Sequence, residues 1–181
     1  MLQIDLIEKC KKNDRKAQMR LYDQYCDGMF CVAMRFLKNT DDAQDAVQEA
    51  FIKAFQKIHQ FKAEVTFGAW LKRIVVNKSI DFLKSKREYL ISLDESYMQI
   101  ADDEDDWTVE ENISVDMVKK AIDKLPDKYK YVVMLYLIEG YDHEEISEIL
   151  KIAQTTSRTQ LMRGKQRLRE LLKYQYDGTG H

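Results

Sequence analysis

From Asp14 onward, apolar residues recur at three- and four-residue steps: Ala17, Leu21, Tyr25, Met29, Val32 and Phe36, with Gly28 in the same strip. That period places them on one face of a long helix with Asp14 as its N-cap. Asn39-Thr40 breaks the pattern. A second amphipathic helix follows, opened by a capping-box-like Asp41/Gln44 pair and striped by Ala43, Ala46, Val47, Ala50, Phe51, Ala54 and Phe55. Gln60 to Thr66 has no period and reads as a loop. A third helix carries Trp70, Leu71, Ile74, Val75, Ile80, Asp81 and Leu83 over several turns and ends in the basic run Lys84-Ser85-Lys86-Arg87.

A second patterned block starts with a helix near 115–124. Leu125-Pro126 then opens another, because proline's missing N–H costs nothing in a first helical turn. Tyr129, Val132, Val133, Leu135, Tyr136 and Leu137 supply its core face, and Gly140 stops it. Asp142 and Glu145 form a capping-box pair for a short helix, HEEISEIL, that buries Ile146, Ile149 and Leu150. Three residues later Gln154-Thr155-Thr156 start a last long helix with Leu161, Leu168, Leu171 and Leu172. Short helix, three-residue turn and longer helix make a helix-turn-helix arrangement.

Between the blocks, residues 88–116 hold 11 acidic side chains and no Lys or Arg, including ADDEDD at 101–106. Dense like charge favours a solvated, extended chain. The strip reads as a linker, with a role in a basic channel meant for nucleic acid as the alternative. The expected organisation is therefore all-α: a helical bundle over 1–87, the acidic linker 88–116, and a helix-turn-helix domain over 117–181. Six Gly and one Pro in 181 residues fit that class, since sheet turns need more.

The net charge of −2 conceals this segregation. Residues 1–87 carry 17 basic against 11 acidic side chains, and residues 117–181 carry 12 against 9. Two basic blocks flanking an acidic strip are a signature of polyanion binding. Residues 151–173 carry seven Lys and Arg against Glu170 alone, and Thr155, Thr156, Arg158, Thr159 and Gln160 stand at the helix start. Such side chains reach base edges and phosphates from a helix in the major groove.

Other classes recede. No apolar run reaches the ~18 residues of a membrane span, and the N-terminus lacks the apolar core of a signal peptide. No membrane insertion and a cytoplasmic location are expected. Cys10, Cys26 and Cys31 are odd in number and without CxxC spacing, as in a reducing compartment, and argue against a disulfide framework or a zinc site. The histidines at 59, 143 and 181 lack ligand spacing. No phosphate loop, dinucleotide fingerprint or hydrolase motif is present, so neither an enzyme nor any cofactor or metal is expected.

LYDQYCDGMFCVAMRFLKNTDDAQDAVQEAFIKAF followed by FKAEVTFGAWLKRIVVNKSIDFLKSKRE resembles the core-polymerase-binding, −10-reading domain of bacterial sigma factors. LPDKYKYVVMLYLIEGYDHEEISEILKIAQTTSRTQLMRGKQRLRELL resembles their −35-reading domain. Both halves, in this order and without further domains, resemble the extracytoplasmic-function type of the sigma-70 family. The resemblance implies a non-catalytic specificity subunit that binds core RNA polymerase and promoter DNA. It also implies an anti-sigma protein as partner.

Roles follow position by position. DAQDAVQEAF matches the helix that docks on the polymerase, which assigns Asp45, Gln48 and Glu49 to polar contacts and Phe51 to packing there. FKAEVTFGAWL matches the segment that engages the unwound −10 strand. Phe61, Lys62, Ala63, Glu64, Val65 and Thr66 would form its loop, and Trp70, Arg73, Asn77, Lys78 and Lys84 would lie on or near the next helix. Asn77 is the base-reading candidate there, and the basic residues are phosphate contacts. Phe67, Trp70 and Ile74, at helical spacing, suit the core better than a DNA contact. Thr155, Thr156, Arg158, Thr159, Arg163 and Lys165 occupy the −35-reading positions, with Arg158 for base readout and Arg163 and Lys165 for phosphate.

Two departures stand out. Lys151 falls where the family usually has Gly, at a cost of about 1 kcal/mol if that site is left-handed. Ser157-Arg158-Thr159-Gln160 also differs from the usual run. Two other functions fit the residues alone: a free-standing helix-turn-helix regulator of duplex DNA, and an interaction module whose basic blocks bind acidic proteins.

Overall fold

In the computed structural model, residues 2–86 and 113–177 are described. Their regular structure is entirely helical, in two compact units, residues 1–89 and 90–181. Most of the acidic strip lies outside the described residues.

The first unit contains α1 (Leu2–Lys11), α2 (Arg15–Leu37), α3 (Thr40–Lys57), a 3-10 turn (Ile58–Gln60) and α4 (Phe67–Ser85). Helices α2, α3 and α4 all pack on one another. Ala43, Ala46, Ala50 and Ala54 are fully buried along α3, and small side chains in a stripe let helix axes approach closely. Leu21, Leu71, Val75, Val76 and Ile80 fill the interior. Asp14 caps α2 as expected, its side chain accepting from the N–H groups of Lys16 and Ala17.

Three features differ from the sequence expectation. α1 is a fourth helix, packed on α2 and the 3-10 turn through Ile7 and Cys10, both buried. Helix α3 starts one residue before Asp41. Its cap is Asn39, whose side chain accepts from Asp42 N–H, rather than the Asp41/Gln44 pair. The left-handed Lys38 (φ 55°) turns the chain so that Asn39, not Asp41, sits outside the first helical turn. Cys31 is exposed and Cys26 half-buried, although both lie on the helix that carries the apolar stripe. Cys10 is the buried thiol, pushed up to about 11 by burial and then by Asp14.

The second unit contains α5 (Val115–Asp123), α6 (Asp127–Val133), a π turn (Met134–Ile138), α7 (His143–Leu150) and α8 (Gln154–Asp177). Helix α8 packs on α5, α6 and α7. Pro126 occupies the cap position, one residue before α6. Gly164 sits where α8 crosses α6, and a Cβ there would lie 2.5 Å from Val133 Cγ2. Asp142 and Glu145 form the expected capping box. Gly140 has a φ of 77° and ends the preceding segment.

Tyr136 and Leu137 leave the core, at 37% and 39% exposure. The π turn is the cause. Glu139 N–H donates to Met134 O, five residues back, instead of four. The added residue rotates the helix face, so positions that continue the α-helical stripe in sequence turn outward.

Candidate nucleic-acid interface

Helix α3 projects Asp45, Gln48 and Glu49 into solvent, while Ala46, Val47 and Ala50 between them are buried. Ile52 extends this polar face with an apolar side chain at 58% exposure. Phe51 does not belong to that surface. It is 2% exposed, its ring 4.8 Å from Tyr22 and 6.0 Å from Phe55. It holds α3 onto α2, and burying such a ring contributes about 2 kcal/mol. A groove of about 380 Å³ between α2 and α3 is lined by Tyr22, Cys26, Asp27, Phe30, Gln44, Val47 and Gln48. The Cys26 thiol facing it is raised by burial first, with Asp27 and Asp23 adding to the effect.

The loop before α4 is closed by aromatic rings. Phe61 is 7% exposed and Phe67 2%. Their rings meet edge-on at 5.7 Å, the Trp70 ring lies tilted 5.4 Å from Phe61, and Tyr25 reaches Phe67 at 5.5 Å. Phe61 is thus an anchor of the loop and not one of its outward contacts. Lys62, Ala63, Glu64, Val65 and Thr66 are exposed. Ala63 takes a left-handed φ of 60°. Thr66 caps α4, its Oγ1 accepting from Ala69 N–H at 3.2 Å. Val65 is 55% exposed, an apolar side chain held out by a loop fixed at both ends.

Trp70, Arg73, Asn77 and Lys84 follow three-, four- and seven-residue steps and share one strip of α4, all half-buried. The Asn77 amide donates to Arg73 O at 2.9 Å, which orients the side chain along the helix. Lys78, one position on, is turned towards α3 and pairs with Glu49 at 2.8 Å. Lys86 makes a parallel pair with Asp42. Two ion pairs two helical turns apart thus bridge the antiparallel helices α3 and α4.

In the second unit Lys151 ends α7 with φ 59° and ψ 48°, the left-handed conformation anticipated at this site. Thr155, Thr156 and Arg158 are exposed, and Thr159, Arg163 and Lys165 half-buried. Thr155, Thr159 and Arg163 step along one open face, and Thr159 Oγ1 donates to Thr155 O. Arg158 and Lys165, seven residues apart, flank the core side. Ser157 is fully buried and bonds His143 Nδ1 at 2.9 Å. His143 stacks on Tyr136 at 5.1 Å, and Lys165 Nζ lies 5.5 Å from the centre of that same ring. The sequence reading missed His143 and Tyr136, one as an isolated histidine and the other as core. No stripe or motif signals a π turn.

Residues 21–89 match sigma-70 region 2, and residues 116–168 match sigma-70 region 4. The ECF RNA polymerase sigma factor SigW of Bacillus subtilis (strain 168) is 34% identical over 178 residues, covering 92% of this chain and 95% of that protein. The chain belongs to the ECF sigma factors. Members are non-catalytic specificity subunits of RNA polymerase that act in transcription initiation. Two solved structures share the fold of this sigma factor. CnrH, in complex with the cytosolic domain of CnrY, has a TM-score of 0.55 at 20% identity, covering 93% of this chain and 96% of its own. The sigma factor RpoE of Bartonella quintana, in complex with the anti-sigma factor NepR, has a TM-score of 0.55 at 22% identity, covering 86% and 96%. Among the described residues of the sigma factor, no cluster of His, Cys, Asp or Glu could hold a metal ion, and no helix is long and apolar enough to cross a membrane.

Proposed function

We propose that this sigma factor brings core RNA polymerase to a subset of promoters through two separate contacts. The first unit docks on the polymerase through Asp45, Gln48 and Glu49 on α3 and captures the unwound −10 strand. Lys62 to Thr66 form the capture loop, with Val65 as its apolar tip. Trp70, Arg73, Asn77 and Lys84 line the strip beyond, where a single strand needs cations for phosphate and polar or aromatic groups for bases. Lys78 serves the strand when released from Glu49.

The second unit reads the −35 duplex with the start of α8. Arg158 takes the base-reading role, because guanidinium pairs bidentately with guanine. Thr155, Thr156 and Thr159 face the groove, and Arg163 and Lys165 hold phosphate. Residues 88–116 tether the two units. An anti-sigma protein partners this sigma factor, as CnrY partners CnrH and NepR partners RpoE, and it covers the polymerase-docking face. The protein works where polymerase works, in the cytoplasm.

The reading is supported above all by the first two turns of α8, where Thr155, Thr156 and Arg158 stand exposed beyond a capped short helix and a tight turn. Run-off transcription from a library of genomic promoter fragments, with bacterial core polymerase, tests it. Discrete starts that need this protein and disappear with Asn77→Ala or Arg158→Ala are expected. Absence of both starts and core binding would overturn it in favour of a free-standing duplex-binding regulator.

A further inference from the structure

The surface beside Arg158 contains more than the recognition helix supplies. The π turn pushes Tyr136 out of the core, and the ring that emerges carries His143 at 5.1 Å and Lys165 at 5.5 Å. His143 comes from the start of α7, Lys165 from the middle of α8, and Tyr136 from the turn after α6. Three elements thus bring a hydroxyl-bearing ring, an imidazole and an ammonium together.

The imidazole is oriented. Its Nδ1 is engaged by the buried Ser157 hydroxyl at 2.9 Å, which leaves Nε2 for a partner outside the unit. The charged groups that act on the ring are Arg158 and Lys165 from α8 and Asp142 from the residue before α7, and Tyr136 is stacked upon it. Glu144 and Glu145 stand with His143 in the first turn of α7, so the cations lie on the α8 side of the ring, and an anion would approach there, between His143 and Lys165.

We propose that Tyr136, His143 and Lys165 form a phosphodiester-binding site beside Arg158, in which His143 takes up a proton as duplex backbone arrives. The proposal deepens the −35 reading and rests on it. Before DNA binds, burial first and then Arg158 and Lys165 lower the pKa of the imidazole, with Asp142 opposing them. A phosphate 3–4 Å away reverses the balance, because an opposite charge at contact distance favours the protonated ring. His143 Nε2–H and Lys165 then both donate to phosphate oxygens, while Nδ1–H donates to Ser157 Oγ. The Ser157 hydroxyl needs only to rotate, since it accepts as readily as it donates. Duplex affinity and proton uptake are reciprocal in such a site.

The test is an NMR titration of the His143 ring in the full chain, alone and with a nonspecific duplex of about 20 base pairs at low salt. DNA should raise the midpoint of the ring. In parallel, fluorescence anisotropy should show duplex affinity rising about tenfold between about pH 8 and about pH 6. His143→Asn keeps a partner for Ser157 and should abolish that rise while binding persists at the higher pH. Lys165→Gln should flatten the salt dependence by about one phosphate. A midpoint unmoved or lowered by DNA, or a pH dependence retained in His143→Asn, would overturn the site. Failure of the promoter reading has a different appearance: pH-linked duplex binding intact, but no protein-dependent transcription starts.

Discussion

Lys78 Nζ lies 2.8 Å from Glu49 Oε2, which ties α4 to α3. The carboxylate is half exposed and the lysine about a quarter. Water and salt therefore screen the pair, and its coupling energy is about 0.2–1 kcal/mol. Urea unfolding of Glu49→Gln, Lys78→Gln and the double variant should give a cycle within that range. The functional effect should be separable from it. Lys78→Gln lowers open-complex formation, whereas Glu49→Gln weakens assembly with core polymerase. Equal loss of both activities in both variants would show that the pair acts only as a clasp between α3 and α4.

Two helical glycines should respond to alanine with opposite sign. At Gly28 a Cβ meets nothing within 4 Å, so Gly28→Ala should stabilise the first unit by about 0.5–1 kcal/mol through backbone entropy. At Gly164 the new Cβ would meet Val133 Cγ2 at 2.5 Å and Tyr129 Cβ at 3.3 Å. Val133 is buried and β-branched, with no free end to swing away. The overpacking, about 1–3 kcal/mol, outweighs the helix-propensity gain. Thermal unfolding should show the melting temperature of the second unit falling in Gly164→Ala.

Local capping and periodicity made most of these elements legible. Asp14, the Asp142/Glu145 box and the stripe from Ala43 to Ala54 each specify structure from within a few residues. What sequence could not reveal depended on geometry that neighbours impose. Among the described side chains of helix α1, Ile7 and Cys10 are the buried ones, too few to read as a stripe. Phe61 looks like a loop residue until the rings of Phe67 and Trp70 close around it. Phe51 lies in the stretch that resembles a docking helix yet faces Tyr22. His143 acquires meaning only because the π turn delivers Tyr136 to it.

Lys151 occupies a left-handed site at φ 59°. An L side chain there crowds its own carbonyl, which glycine avoids. Lys151→Gly should therefore stabilise the helix-turn-helix unit by about 1 kcal/mol, after allowance for the extra freedom glycine gains when unfolded. The urea midpoint measures it. A loss of stability would mean that the lysine side chain compensates for the strain by contacts of its own.

The second unit should weaken in mild acid. Folding lowers the His143 pKa below the ordinary 6.5, through burial first and then Arg158. The unfolded chain recovers the ordinary value, so below about pH 6.5 it binds more protons than the folded one. Stability is complete above that pH and is lost as pH falls through the folded value. Urea midpoints of the second unit should decline over this window, and His143→Gln should flatten the decline. A midpoint rising on acidification would show that Asp142 outweighs burial and the two cations.

The proposed capture loop offers a separation of anchor from contact. Phe61 is buried against Phe67 and Trp70, whereas Val65 stands 55% exposed four residues later. Phe61→Ala removes a ring from a packed cluster, and such cavities cost about 3–5 kcal/mol. Trp70 fluorescence and the unfolding midpoint should both report it, and promoter opening should fall with them. Val65→Ser exposes no cavity and should leave the midpoint within about 0.5 kcal/mol of the parent. Its effect should appear in promoter opening, since a hydroxymethyl group offers an unstacked base less apolar surface than an isopropyl group. If Val65→Ser opens promoters as well as the parent, strand capture does not use the apolar tip and lies on the strip of Trp70, Arg73, Asn77 and Lys84.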